Sequence, residues 1–401
     1  MAKTHKIKHV DDTFTISKSN DTWIFLKSAS IKSGADENAI TEAGTSRTTI
    51  ILQNNVIARD VAIASSGNHV RIEIDHGASI TAGNIPIVLQ GDNALVINRG
   101  TLDSNDGGSS FYGIGANLEL HNYGRMTSIP AAGSVSILGD GARIYNEKSG
   151  RMEGGVGMGF SLDAGDSGTF YNRGVVAGDR YAVGGADGND TVINRGKLVG
   201  MVSLFGGDDK VDTRGGTLST KVFEGGLGDD VLLTDNAKYT LVEKVDEGND
   251  TIKSTVSYRL ADNSNVENLV LIGTKNVNAT GSAQYETIRG NSGNNRIDGG
   301  GSFDDIYGGK GSDTLTGGGI DTEDYFYFKT GDGHDVITDF EPGDDQIHLT
   351  GWHGFDSYQD VLDHARFRDG DMIIKAGKDS IVLLDVDQDN ISGGDFSFTT
   401  G

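Results

Sequence analysis

The sequence predicts an all-β chain folded as a parallel β-helix, and three observations point there. Between residues 75 and 194 an Asn or Asp recurs at Asp75, Asn98, Asn122, Asn146, Asn172 and Asn194, at intervals of 23, 24, 24, 26 and 22. A period of that length is one coil of several short strands. Farther along, residues 290–298 (GNSGNNRID), 299–307 (GGGSFDDIY) and 308–316 (GGKGSDTLT) abut with a period of nine and carry Ile297, Ile306 and Leu315 at one shared inward position. Sixty glycines against three prolines in 401 residues suit many tight turns between ladder-paired strands.

Taken in order, residues 13–26 (TFTISKSNDTWIFL) read as a hairpin or a first coil, one such element being needed to cap the open end against edge pairing. Trp23 is expected to pack in that cap. Residues 70–74 (VRIEI) alternate apolar and polar, whereas 49–52 and 87–89 are short continuous apolar runs. The recurring asparagines tolerate left-handed turns and are expected to stack as a hydrogen-bonded ladder. Tyr123, Tyr145 and Tyr171 fall at matching places in successive coils and are expected to stack as well.

From Asp190 the spacing tightens: Asp190, Asp209, Asp230 and Asp250 follow at 19, 21 and 20 residues, one aspartate per coil, and are expected to continue the asparagine-marked coils into the nonapeptides. Coils stacked about 4.8 Å apart would place neighbouring carboxylates so that they repel by roughly 3 kcal/mol at an effective dielectric of 20. Three such gaps approach about 10 kcal/mol, comparable with the stability of a whole domain. Such coils need a bound cation to fold. After them, residues 356–366 (DSYQDVLDHAR) form the best helix candidate, capped by Asp356 or Ser357 with Val361, Leu362 and Ala365 on one face. Strands are expected at 372–375 and 380–386.

The formal net charge is −24. Residues 1–180 hold 16 Lys and Arg against 19 Asp and Glu, a net of −3, and residues 181–401 hold 18 against 39, a net of −21. That balance argues against nucleic acid as a partner, because phosphate binding needs a basic face. Cysteine is absent, which removes disulfides and thiolate chemistry. No stretch approaches the roughly 20 apolar residues of a membrane helix, and residues 1–10 (MAKTHKIKHV) lack the apolar run of a signal peptide.

Residues 225–233 (GGLGDDVLL) and 308–316 complete a pattern of glycines at positions one, two and four, aspartate at six and an aliphatic at eight. Partial copies lie at 185–192, 206–211, 246–252 and 331–337. This nonapeptide resembles that of the RTX exoproteins of Gram-negative bacteria, and residues 325–398 are similar to the C-terminal region that follows the protease domain in serralysins. The resemblance implies a right-handed parallel β-helix continuing into a calcium-binding parallel β-roll, with a short C-terminal α-helix and capping strands. It also implies several bound Ca2+ ions, extracellular localisation and export by a type I secretion apparatus reading a C-terminal signal. The carboxylate or amide ligands would be Asp190, Asp209, Asp230, Asp250, Asn295, Asp304, Asp313, Asp324 and Asp335. The glycines whose turns aim backbone carbonyls at the ion would be Gly225, Gly226, Gly228, Gly299, Gly300, Gly308, Gly309 and Gly311. The expected organisation is an N-terminal cap and first coils over 1–60, a β-helix over 61–180, calcium-binding coils over 181–350, and a C-terminal cap with the export signal over 351–401.

Signals for an enzyme are weak. The nine histidines never form HExxH, which excludes a serralysin-type zinc protease. Residues 165–168 (GDSG) lack a GxSxG elbow and read as a turn. A β-helix enzyme acting on polysaccharide is the main alternative, with Asp163 and Asp166 as a conceivable acid and base pair, but the DPHE string of the alginate epimerases is missing. The reading the sequence favours is a binding, adhesion or matrix protein, with anionic extracellular polysaccharide or a cell surface as partner. A structural surface-layer or biofilm role is a third option.

Overall fold

The computed structural model describes residues 2–399 apart from 9, 11–12, 30, 34–37, 129–132, 155, 158–165 and 320–321. Asp163 and Gly165 lie outside the described residues. The chain is an all-β parallel solenoid with one short helix. It divides into two compact units, Met1–Asp230 and Val231–Gly401.

In the first unit each coil places one short strand in a first sheet, turns a corner, and gives two further strands to a second sheet, as in Leu95–Asn98, Thr101–Ser104 and Phe111–Ile114. The described strand pairs of this unit are parallel and in register, except that the pairing of Val175–Gly184 with Lys197–Ser203 shifts between Ala177 and Tyr181 and again before Val183. The register lines up Ile50, Ile72, Val96, Leu120, Ile144, Phe170 and Val192 as one inward column, each at 0% exposure. Full burial of such a side chain stabilises by roughly 1.5–3 kcal/mol, so the alternation in each strand suffices to fix which face points in.

Residues 13–26 form a first coil and not a hairpin. Phe14–Ile16 joins the second sheet, while Thr22–Phe25 joins the first and runs parallel to both Thr4–Ile7 and Thr49–Leu52. Trp23 packs there, stacked on His5 with ring centroids 4.1 Å apart.

The asparagine ladder is present from Asn98 to Asn194. Each Nδ2 donates to the next Oδ1, at 2.9 Å from Asn98 to Asn122 and from Asn122 to Asn146, and at 2.8 Å from Asn146 to Asn172 and from Asn172 to Asn194. The Oδ1 of Asn98 also accepts from the Gly100 amide, and the glycine two residues on is required because a Cβ on Gly174, two past Asn172, would stand 2.1 Å from the Gly150 carbonyl oxygen and 2.8 Å from Asn146 Nδ2. Asp75 is not a rung: Asn98 pairs with Ile74, so Asp75 falls one residue past the ladder.

The aromatic stack also differs from expectation, with His121 holding the place expected for Tyr123. His121 pairs with Tyr145 and Tyr145 with Tyr171, with centroids 4.5 and 4.9 Å apart and planes within 10°. Tyr123 follows Asn122 on the corner, 37% exposed, with Arg99 over its ring.

In the second unit a nonapeptide makes half a coil. Ile288 and Ile306 pair in one sheet while Ile297 and Leu315 pair in the other, so successive nonapeptides alternate between sheets and the coil repeats after 18 residues, the separation of Ile297 and Leu315. Ile297, Ile306 and Leu315 are all at 0% exposure. The unit closes with an antiparallel set, Ala365–Arg368, Asp371–Ala376 and Asp379–Leu383, and with Phe396–Thr399 laid parallel to Gln346–Thr350. The helix runs Tyr358–His364, capped by Ser357, whose side chain accepts from the Asp360 amide. Val361 is its buried residue, and Ala365 already belongs to the next strand.

Candidate cation-binding columns

The motif aspartates form vertical columns in which each carboxylate completes the preceding coil. In the first unit Asp190 Oδ1 accepts from the Gly168 amide at 2.6 Å, Asp209 Oδ1 from the Asp190 amide at 2.7 Å, and Asp230 Oδ1 from the Asp209 amide at 2.7 Å. In the second unit one column runs through Glu286, Asp304, Asp324 and Asp345, each amide donating to the next carboxylate at 2.8 to 2.9 Å. A second column runs through Asn295, Asp313 and Asp335 at 2.7 and 2.9 Å. Asp250 lies in this unit too, with its amide on Glu267 Oε2 at 2.7 Å.

These carboxylates are buried: Asp190, Asp209, Asp304, Asp313, Asp324 and Asp335 are each no more than 2% exposed. One oxygen of each is satisfied by a backbone amide. The other oxygen of Asp209, Asp304 and Asp313 is buried with no hydrogen-bond partner. Burial accordingly pushes these carboxyls upward, Asp209 to about 10, Asp190, Asp313, Asp335 and Asp345 to about 7, and Asp324 to about 6. Burial raises Asp304 and Glu286 as well. Desolvation is the larger cause and repulsion between neighbouring carboxylates, the effect sized from the sequence, the smaller.

The glycines shape the space beside the orphaned oxygens. A Cβ on Gly299 would stand 2.4 Å from the carbonyl oxygen of Gly317 on the next coil and 2.5 Å from Asp304 Oδ2. On Gly308 it would stand 2.7 Å from Asp313 Oδ2, and on Gly317 2.3 Å from Asp324 Oδ2. The first glycine of the motif thus keeps open a pocket where a carboxylate and a carbonyl crowd together. Its φ lies outside the left-handed region, so at this position the requirement is for room and not for a turn. The second and fourth glycines supply the turns: Gly226, Gly228, Gly300, Gly309 and Gly311 all have positive φ. Phe205 stands where Gly226 stands one coil later and holds φ +72 without a glycine's freedom.

Among the described residues no three His, Asp or Glu side chains gather as a metal cluster. The donor set is one carboxylate per coil plus backbone carbonyls. All-oxygen ligation of this kind matches a hard cation, and a carbonyl-rich, dry cradle favours Ca2+ over Mg2+, which sheds its waters reluctantly. The residues therefore fit calcium.

The sequence reading missed Glu267, Glu286 and Asp345. Each stands two residues before an inward aliphatic (Leu269, Ile288, Ile347), the same place that Asp304 holds before Ile306. The aspartate column also does not continue the asparagine ladder. Asp190 precedes the strand Thr191–Asn194 and Asn194 ends it, so the two columns run side by side at opposite ends of the same strands. Elsewhere in this unit the faces of Tyr145 are occupied by His121 and Tyr171, leaving ring edges and no open stacking platform for a sugar.

No helix among the described residues is long and apolar enough to cross a membrane. No protein-family model matches the chain, and no curated protein matches it either. Among solved structures the chain is similar to the extracellular lipase LipA from Serratia marcescens, at 16% identity and a TM-score of 0.28, over 66% of this chain and 45% of that one. The chain thus spans under half the length of that protein, and a likeness of this size decides neither architecture nor activity.

Proposed function

We propose that the chain is a calcium-loaded solenoid of the RTX type, secreted by a type I route, whose acid columns fold on calcium and whose coils over residues 61–180 serve extracellular binding, adhesion or matrix contact. The observation that carries this reading is the set of buried, unpartnered carboxylate oxygens at Asp209, Asp304 and Asp313, the last two beside the glycine cradles of Gly299 and Gly308. A buried ionised carboxylate without a partner is costly, and the chain repeats that cost coil after coil. A divalent cation removes it by supplying charge where the oxygens already converge. Metal binding of this kind is folding free energy, so calcium and native structure should appear together.

The test is calorimetric titration of the EDTA-treated chain with calcium, followed in parallel by far-UV circular dichroism. Multi-site uptake accompanied by a gain of β signal is expected, with magnesium at the same concentration failing to reproduce it. An identical spectrum in EDTA and in calcium, with no calcium retained, would sink the reading.

A further inference from the structure

Six arginines cluster where coils of the first unit pass from the first sheet to the second: Arg99, Arg173 and Arg195 each follow the last residue of a first-sheet strand, Arg125 and Arg151 open strands of the second sheet, and Arg214 lies two residues past Asp212. Among the described residues four carboxylates pair with them. Arg99 reaches Glu73 at 3.4 Å and Arg173 reaches Glu147 at 3.5 Å, while Arg125 and Arg151 share Glu153, and Arg195 and Arg214 share Asp212. Arg125 and Arg151 sit directly opposite each other in the register, a placement that like charges disfavour. Packing does not use them: their side chains are each 55% exposed and that of Arg173 is 68% exposed. Each guanidinium has five N–H donors, and Arg125 commits one, from Nη2, to Glu153 at 2.7 Å. Donors and positive charge are thus left facing solvent on consecutive coils of a chain whose net charge is −24.

We propose that this corner binds a linear polysaccharide carrying carboxylates, laid along the solenoid axis with one uronic acid per coil and gripped by guanidiniums directly instead of through bridging calcium. The inference rests on the reading of this unit as an extracellular binding surface. Coils repeat about every 4.8 Å, close to the length of one sugar ring in an extended chain, so each carboxylate meets a fresh guanidinium. The planar fork of arginine matches a carboxylate in bidentate fashion, which explains arginine where lysine would supply the same charge. Nucleic acid fits less well, because a phosphate backbone needs a broad basic face and this chain carries a net charge of −24 with carboxylates interleaved among these arginines. The corner is also separate from the calcium column, since Asp190 and Arg195 flank opposite ends of Thr191–Asn194.

The test titrates the calcium-loaded full-length chain with an oligogalacturonate hexamer, with maltohexaose as the neutral control and a thymidine oligonucleotide as the competing class. The triple variant Arg125→Gln, Arg151→Gln, Arg173→Gln is expected to bind the hexamer about tenfold more weakly or worse, with its calcium uptake unchanged. Phenylglyoxal labelling of the unaltered chain, mapped by peptide mass, gives a second readout that does not depend on the variant folding. The hexamer should protect Arg125, Arg151 and Arg173. Equal binding by the variant, absence of protection, or tighter binding of the oligonucleotide would overturn the proposal. Calcium uptake is measured on the same samples, so failure there sinks the calcium reading while the corner is judged on its own titration.

Discussion

The strand Thr191–Asn194 is bracketed by two buried polar columns, the asparagine ladder at its end and the aspartate column at its start. They meet one requirement, that a polar group in the interior be satisfied, in opposite ways. An asparagine carries both a donor and an acceptor, so a column of them closes on itself through Nδ2 to Oδ1 bonds and needs nothing from solvent. An ionised aspartate only accepts. Its first oxygen takes an amide from the coil before, and at Asp209 its second oxygen is left with no donor to find. The difference teaches that an amide ladder stabilises unconditionally, whereas a carboxylate column stabilises only on condition that a cation is supplied.

The strongest way to break the comparison is to withdraw calcium. In EDTA the amides around Asp209, Asp304 and Asp313 should lose roughly 3 kcal/mol or more of hydrogen-exchange protection, the scale of an uncompensated buried charge, while the coils from Asn98 to Asn172 keep theirs. Equal loss in both regions would show that the ladder depends on the metal as well.

Acidity separates the two columns next. Because burial raises the folded-state values of Asp190, Asp313, Asp335 and Asp345 to about 7 and of Asp209 to about 10, their favourable contribution is fully present below the ordinary carboxylate range near 4 and is lost as pH climbs through 7 to 10. The calcium-free chain should therefore melt at higher temperature at pH 5 than at pH 8, by an amount on the order of several kcal/mol in total. Saturating calcium should flatten or reverse that slope, since only the ionised form binds. A calcium-free melting temperature that rises with pH would contradict the assignment.

Asn146→Leu attacks the ladder at its middle. It removes the ladder partner of Asn122 Nδ2 and of Asn172 Oδ1, leaving the first only the Arg151 carbonyl and the second only the Gly174 amide, and a loss of about 2 kcal/mol is expected by urea unfolding in calcium and in EDTA alike. The cost is moderated because Leu52 and Ile74 already occupy that register in earlier coils. The smallest and most diagnostic change is Asp313→Asn. Asn295 shows that the same column accepts an amide, with Oδ1 taking the Asn291 amide and Nδ2 donating to the Val277 carbonyl. The substitution should therefore stabilise by about 1 kcal/mol in EDTA and destabilise in calcium, a change of sign that thermal melts under the two conditions would detect.

Much of this was legible in the chain. Ile297, Ile306 and Leu315 announced the inward positions because an aliphatic recurring every nine residues marks one buried place per half coil, alternately in the two sheets. The Asn-x-Gly string announced the corner because only glycine leaves room beside a buried amide. What escaped was register: Tyr123 matches Tyr145 by type but lies on the other side of its asparagine, two residues past His121 and beyond the end of the strand, where it turns onto the corner. Glu267 and Glu286 escaped because the longer acid departs from the nonapeptide, although the aliphatic two residues later marked the same place. Whether a carboxylate oxygen ends up without a partner depends on the neighbouring coil, and no local string records that.

The columns have a direction. In every acid pair the amide belongs to the earlier coil and the carboxylate to the later one, as from Asp304 to Asp324 and from Asp324 to Asp345. Each inner coil therefore gives an amide to its successor and takes one from its predecessor on its carboxylate, so it is finished only from both sides. The two ends of a column are not equivalent. Removing the last coil leaves the one before it with an open amide, whereas removing the first leaves the next one with a buried carboxylate oxygen that has lost its donor, and the charged group is the costlier one to strand.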